Sequence, residues 1–244
     1  MHLLAAKPGG LPDDEGIVDL QQTPADIVIL SAQDTSLSLL ARSLDHLPES
    51  YPSVRLANLL YLNKPASIDL YVDKVLRHCR VVLVALLGGQ SYWSYGVEQL
   101  MALQAHGVLV VFVPGDDKAD QSLMSKSNVS AQDCNHLWCY LREGGSANIK
   151  NLYLFLQHQY FNIANKYAAP VELAKTIIYH PRRRVATLAD WQQDWKSTTN
   201  RHFSNAERPV AAIIFYRSHV QSGNTDAFDQ LCDTCYKAGL NPLP

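Results

Sequence analysis

The chain has 244 residues, of which 47% are hydrophobic and 18% charged, so it can bury a core and is not a disordered polymer. Its 21 Lys and Arg against 23 Asp and Glu give a net charge of -2, which offers no general attraction to nucleic acid or anionic lipid. The longest apolar runs, residues 81–87 and 108–113, fall short of the roughly 20 residues that cross a bilayer. We therefore expect no nucleic-acid partner and no membrane partner.

The amino terminus and the cysteines indicate the compartment. The opening Met1-His2-Leu3-Leu4 lacks the basic flank and the long apolar stretch of a secretory signal. Five cysteines, an odd number in a chain long enough to bury a core, fit a reducing compartment better than a disulfide framework. The sequence therefore predicts free thiols and a cytoplasmic location.

From Asp26 onward, short β-rich runs alternate with segments of helical period. This alternation is typical of βαβ units around a mostly parallel sheet, whose strands form continuous apolar runs because helices cover both faces. The predicted strands are residues 27–30, 54–62, 80–87 and 108–113. The predicted helices begin at Asp34 or Thr35, at Ser67 and after the loop that follows Leu87, and the second of them reaches Cys79.

The second half of the chain contains a long predicted helix over about residues 149–166, a boundary region near residues 168–184, and a new unit that starts near Pro209. In that unit, residues 210–216 form a predicted strand and residues 226–236 a predicted helix that Gly239 terminates. No strand is predicted after the helix, and an apolar sheet edge would stay uncovered, which native domains avoid. We therefore expect the front piece of a longer protein.

These elements predict an α/β fold with Rossmann-like or flavodoxin-like parallel-sheet units, flanking helices and an incomplete last unit. The predicted domains are an amino-terminal α/β domain (1–168), a connecting region (169–208) and the start of a truncated second α/β domain (209–244).

The first candidate binding segment follows the strand that ends near Leu87. Ligands of open α/β sheets lie at the carboxyl ends of strands, and paired glycines allow close approach to the backbone. The aromatic side chains could lie flat against a large conjugated ring, and the following helix amino terminus favours a carboxylate. The alternative is that the glycines shape a turn and the aromatic residues pack in the core. The candidate residues are Gly88, Gly89, Tyr92, Trp93, Tyr95 and Glu98.

The second candidate segment also leaves a strand and enters a helix. Arg217 and His219 could hold an anionic group, and Asn224 or Thr225 could cap the helix. The alternative is an ordinary connection between a strand and a helix.

Other motifs are weak. Cys232 and Cys235 have metal spacing but no second pair, so buried thiols are the preferred interpretation. The Cys134, His136 and Cys139 spacing matches no established zinc finger. We predict no metal site. Neither a phosphate-binding loop nor a dinucleotide-binding glycine motif occurs in the sequence.

Several motifs in order along nearly the whole chain resemble the large subunit of aerobic cobaltochelatase, the CobN type of the magnesium chelatase family. They are residues 1–4, 24–31, 56–60, 69–72, 86–98, 114–117 and 216–225. The resemblance implies an ATP-dependent, ligase-type enzyme that inserts Co²⁺ into hydrogenobyrinic acid a,c-diamide in cobalamin biosynthesis. It also implies that two AAA+ type partner subunits use the ATP and Mg²⁺. The family subunit is several times longer, so we expect an amino-terminal fragment that is inactive alone.

The resemblance departs at Ala85 and Gln90, where the family carries basic residues, so two positive charges near the first segment are absent. Metal insertion needs a pocket that bends the macrocycle, a proton acceptor and ligands that strip water from the metal. The aromatic loop and Arg217 are candidates for the first role, and Glu98 is a candidate base.

No catalytic residue is assigned, because the metal-handling groups are expected beyond Pro244. One alternative is a non-catalytic scaffold or docking module for the AAA+ subunits. A third interpretation is an independent flavodoxin-like ligand-binding protein.

Overall fold

The computed structural model describes residues 16–196 and 208–244. They fall into two compact units. Unit 1 contains the described residues up to Leu37 together with Leu47–Trp138, and unit 2 contains Ser38–His46 and the described residues from Cys139 onward. In the described ranges no helix has both the length and the apolar character to cross a bilayer. The predicted domain boundaries after residues 168 and 208 remain predictions.

Unit 1 is built on a four-stranded parallel sheet with the strand order β2-β1-β3-β4, so the α/β prediction is confirmed. The strands are β1 (Ile27–Ser31), β2 (Val54–Asn58), β3 (Val81–Leu86) and β4 (Leu109–Pro114). The helices are α1 (Asp34–Leu44), α2 (Pro65–Lys74), α3 (Ser94–Gln104), α4 (Gln121–Met124) and α5 (Ala131–Glu143), of which α1 and α5 extend into unit 2.

The strand order places a switch point between β1 and β3. These strands are hydrogen-bonded neighbours, but β1 continues through α1 to β2 on one side and β3 continues through α3 to β4 on the other. The connections therefore diverge at the carboxyl ends of β1 and β3, which leaves a crevice there in sheets of this kind. Every residue of β1 and β3 is buried, as their continuous apolar sequences predict.

Strand β2 is shorter than predicted. It ends at Asn58, and residues 59–61 form a 3₁₀ turn. The Asn58 side-chain oxygen accepts a hydrogen bond from the Leu60 N–H at 2.8 Å, and this local bond competes with continued pairing. The apolar residues beyond Asn58 thus belong to a turn, and Leu62 is buried in the core.

Unit 2 contains two small sheets and four complete helices. Its strands are β5 (Ile178–His180), β6 (Arg184–Ala186), β7 (Val210–Ala212) and β8 (Asn241–Leu243), and its helices are α6 (Gly145–Phe161), α7 (Leu188–Lys196), α8 (Arg217–Gln221) and α9 (Asp226–Lys237). Strands β5 and β6 pair antiparallel, whereas β7 and β8 pair parallel. The Tyr179 N–H donates to the Pro244 carbonyl at 3.0 Å and joins β5 to the end of β8.

The prediction that no strand follows α9 is wrong. Asn241–Leu243 forms β8, although Pro242 and Pro244 make this stretch a poor strand sequence. The Asn241 N–H donates to the Pro209 carbonyl and the Ile213 N–H donates to the Leu243 carbonyl, so neither bond requires a proline N–H. Strand β7, in turn, is shorter than the predicted 210–216 and ends at Ala212.

Candidate functional site

The connection from β3 to α3 begins with two glycines in the left-handed region. Gly88 and Gly89 have φ angles of +81° and +80°, where side chains are strained. A Cβ built on Gly88 would lie 2.5 Å from Cε2 of Tyr92. The loop therefore requires glycine at residue 88 both for its backbone and for the position of the tyrosine ring.

Tyr92 is the residue of this loop that offers an aromatic ring to solvent. It ends a 3₁₀ turn over residues 90–92, and 71% of the residue is exposed. Because the ring packs over Gly88, it is held at the carboxyl end of β3, beside the switch point. An exposed ring held in this way is suited to stacking on a flat ligand.

Trp93 is a core residue, which corrects the prediction that its ring could lie against a ligand. It is only 7% exposed and belongs to the hydrophobic core of unit 1. Its Nε1–H donates to the Leu62 carbonyl at 2.6 Å. Its ring also lies against Gly96, where a Cβ would approach it to 2.1 Å. The alternative of core packing thus describes Trp93 in this structure.

Tyr95 and Glu98 lie on the first turns of α3. Tyr95 is half-buried, and its hydroxyl donates to Oδ1 of Asp69 at 2.7 Å. This hydrogen bond raises the pKa of Tyr95 above its usual value. Glu98 is exposed on the solvent side of α3. Both residues remain predicted site residues.

The carboxyl edge of the sheet also contains polar residues that the sequence reasoning missed. The Gln33 side-chain amide donates to the Gly115 carbonyl at 2.6 Å, and the Gly115 N–H donates to the Leu86 carbonyl at 2.7 Å. These bonds tie together the loops that follow β1, β3 and β4. The available signal was position, because Gln33 and Gly115 lie within three residues of the carboxyl ends of predicted strands.

In unit 2, Arg217 begins α8 and is held by a buried carboxylate. Its Nη2 lies 2.9 Å from Oε2 of Glu143 and also donates to the Leu173 carbonyl at 2.5 Å. The Arg217 side chain is 23% exposed, against 4% for Glu143. Arg217 is thus oriented and partly neutralised by this ion pair, which the sequence did not predict because the two residues are 74 positions apart.

Glu143 is the centre of this cluster. Burial alone would raise the pKa of Glu143, but the Leu173 N–H together with Arg142 and Arg217 lowers it below its usual value. The Arg142 Nη2 lies 2.6 Å from Oε1 of Glu143. With Glu143 ionised, the cluster carries one negative and two positive side chains, which leaves a local excess of positive charge.

The other predicted residues of the second segment lie on α8 or between α8 and α9. The His219 ring packs against Phe228, with 5.0 Å between the centroids. Asn224 is exposed, and its N–H donates to the His219 carbonyl. Thr225 is 1% exposed and precedes α9, but its side chain does not cap the helix. The structure thus groups these residues with Arg217 in unit 2, whereas Gly88 to Glu98 lie in unit 1.

The cysteine motifs form no metal centre in the part of the chain that the structure describes, where no group of three or more His, Cys, Asp or Glu could hold an ion. All five cysteines are free. Burial raises the pKa of Cys232 to about 11, and burial likewise raises the pKa of Cys134. The Cys134 thiol donates to the Phe112 carbonyl at 3.3 Å. These thiols are protonated packing groups.

Comparison with known proteins gives consistent matches. Residues 138–244 match the family model described as CobN/Magnesium Chelatase. The whole chain is 45% identical to the aerobic cobaltochelatase subunit CobN of Pseudomonas aeruginosa. It is 38% identical, over 247 aligned positions, to the subunit of the same name from Sinorhizobium sp.. The chain spans 19% of the length of each of these two relatives.

A solved structure agrees with these matches. The catalytic subunit of cobaltochelatase from Mycobacterium tuberculosis superimposes with a TM-score of 0.61 and 26% sequence identity, covering 89% of this chain and 16% of that one. The expected resemblance is confirmed by the sequence and structure comparisons together.

Proposed function

We propose, from the match of residues 138–244 to the CobN/Magnesium Chelatase family model and from the similarity to CobN subunits along the whole chain, that it is part of a cobaltochelatase large subunit. In this role it helps to enclose the tetrapyrrole into which Co²⁺ is inserted during cobalamin biosynthesis. The observation that carries the proposal is the exposed Tyr92 ring, held by Gly88 at the switch point of the unit 1 sheet.

Each unit, taken by itself, offers a different interaction for the substrate, hydrogenobyrinic acid a,c-diamide. The Tyr92 ring would stack on the flat macrocycle. The Arg142 and Arg217 charges, in excess over Glu143, would attract the carboxylates that the substrate keeps. Glu98 is exposed and would accept a pyrrole proton only where the complete subunit encloses it.

The proposal assigns ATP and Mg²⁺ to two AAA+ partner subunits and Co²⁺ to the role of substrate metal. The sequence supports this division because it lacks a phosphate-binding loop. The complex would act in the cytoplasm as an ATP-dependent, ligase-type chelatase, and this part alone would be inactive.

The proposal is tested on the full-length subunit with Tyr92→Ala, Tyr92→Phe and Met101→Ala. Losing the ring should weaken binding of hydrogenobyrinic acid a,c-diamide about tenfold, the equivalent of about 1.4 kcal/mol. Tyr92→Phe keeps the ring and should bind nearly as well as the wild type. Met101 is 39% exposed on α3 and serves as the surface control. Unchanged affinity in Tyr92→Ala would contradict a substrate contact and favour the docking alternative.

A further inference from the structure

The apolar segment that contains β7 has one bare face. Exposure alternates along residues 210–217, with the odd-numbered residues half-buried and the even-numbered residues exposed. On the inner face, Phe215 packs against Phe228 of α9 with 4.8 Å between the ring centroids. On the outer face, Val210, Ile214 and Tyr216 are 54%, 97% and 80% exposed.

This exposure differs from that of similar sequences in unit 1. Strands β1 and β3 also consist of continuous apolar runs, and every one of their residues is buried. Such a run is typical of a parallel strand with a helix layer on each face. The sequence of residues 210–216 is therefore typical of a strand with a helix layer on each face, whereas in the structure only one face of this segment is covered.

Among the described residues, no strand pairs with the outer edge of β7 either. The Pro209 carbonyl and the Ile213 N–H bond to β8, so the main-chain groups of Val210, Ala212 and Ile214 point away from β8. The described residues provide no hydrogen-bond partner for these outward groups. An open edge with an apolar face is a site for pairing with another strand.

The edge strands of unit 1 show the contrast. The Gln22 side-chain amide donates to the Leu56 carbonyl of β2 at 2.9 Å. On β4, the Asn128 side chain donates to the Val108 carbonyl and accepts from the Val110 N–H. Polar side chains of unit 1 thus bond to main-chain groups along both of its edge strands, whereas no such side-chain bond is made to the outer edge of β7 by the described residues.

We propose that a βα element from the rest of the full-length subunit docks on β7. Its strand would pair parallel with the outer edge, and its helix would cover Val210, Ile214 and Tyr216. The parallel strands β7 and β8, connected through α8 and α9, correspond to the parallel strands β1 and β2 of unit 1, which are connected through α1, and in unit 1 β3 occupies the other side of β1. The chain spans 19% of its curated relatives, so the remaining polypeptide of such a subunit is the source of the element.

The docked element would create a second switch point. In unit 1 that point lies between the carboxyl ends of β1 and β3, where the Gly88 loop begins. The corresponding point in unit 2 lies where β7 leads into Tyr216 and Arg217. The added strand would therefore provide the missing wall of a crevice around the second candidate segment. This inference rests on the proposed function in one respect, which is that the chain is part of a full-length subunit.

The test is the rate at which a maleimide labels cysteines introduced into the full-length subunit. Ile214→Cys and Tyr216→Cys probe the bare face, and Val185→Cys on β6, where Val185 is 45% exposed, is the control. Each site is quantified by peptide mass spectrometry, and its rate is divided by the rate in denaturant. We expect both probe sites to react at least about tenfold more slowly than residue 185.

Equal rates at the probe and control sites would overturn the proposal. Protection that increases with protein concentration would assign the face to a second copy, and protection that requires the AAA+ subunits would assign it to a partner, so either result also overturns it. The labelling uses no tetrapyrrole. Its outcome is therefore separate from the Tyr92 affinity test, and each proposal can fail alone.

Discussion

Gly88 and Gly107 have similar backbones but different surroundings. Their φ angles are +81° and +85°, and the Tyr92 ring lies over Gly88 whereas nothing lies within 4 Å of a Cβ on Gly107. Alanine substitutions at these two glycines therefore separate the free energy of backbone strain from the effect of displacing the Tyr92 ring. Sequence reasoning identified the Gly88–Gly89 turn but could not show which aromatic ring lies on it.

Gly88→Ala and Gly107→Ala should each destabilise the chain by about 1–2 kcal/mol, because alanine is strained at these φ angles. Urea unfolding measures this loss. Gly88→Ala should in addition weaken tetrapyrrole binding by the full-length subunit, because the new Cβ displaces Tyr92. If Gly107→Ala weakened binding equally, the effect would come from lost stability and not from the position of the ring.

We expect His180 to make the stability of unit 2 depend on pH. Burial lowers the pKa of His180 below its ordinary value of 6.5, although Asp194 acts in the opposite direction. The Arg182 N–H donates to its Nδ1 at 3.2 Å, and its Nε2 lies 3.4 Å from Oδ2 of Asp194. Arg183 and Asp190 also face the ring electrostatically. The folded protein therefore favours neutral His180.

This preference for neutral His180 determines the direction in which stability changes with pH. The unfolded chain binds a proton at His180 more readily than the folded chain. The contribution of neutral His180 to the free energy of unfolding is therefore fully present above pH 6.5 and is lost as pH falls through the lowered pKa. We expect the urea midpoint to decrease from pH 7.5 to pH 5.5, and to decrease less in His180→Gln. An identical decrease in both proteins would show that other groups cause the acid sensitivity.

At the scale of elements, Asn128 completes the edge of β4. Its side chain accepts from the Val110 N–H at 2.7 Å and donates to the Val108 carbonyl at 2.9 Å. The Ser127 hydroxyl also accepts from the Phe112 N–H. These bonds occupy main-chain groups that a neighbouring strand would otherwise use.

Asn128→Ala should lower the free energy of unfolding by about 1–3 kcal/mol, because it removes two hydrogen bonds. It should also promote self-association through the exposed edge, which sedimentation measures. Asn128→Asp keeps the acceptor for Val110 and loses the donor to Val108, so an intermediate effect is expected. An Asn128→Ala protein as stable and as monomeric as the wild type would exclude this role.

The elements differ in how far the sequence predicts them. Strands β1, β3 and β4 are apolar runs between turn residues, and their positions were predicted within about two residues. Strand β8 was missed because its prolines oppose strand formation and its partner β7 is distant in sequence. The predicted connecting region contains β5, β6 and α7, which are too short for a clear periodic pattern.

At the scale of the molecule, local patterns predicted the α/β class, and ordered motifs predicted the resemblance to CobN subunits. The same patterns placed Trp93 and Tyr92 in one aromatic group, although one is buried and the other exposed. The Glu143–Arg217 ion pair joins residues far apart in sequence. Such contacts arise from tertiary packing, so they could not be read from spacing in a single sequence.

The buried position of Trp93 has a consequence for spectroscopy. Its indole lies in the core of unit 1 and bonds to the Leu62 carbonyl, so iodide or acrylamide in solution cannot collide with it until that core opens. In a variant without the other three tryptophans, a red shift in its emission would therefore report melting of unit 1, and an optical titration seeking direct ligand contact is better served by a fluorophore attached at residue 92.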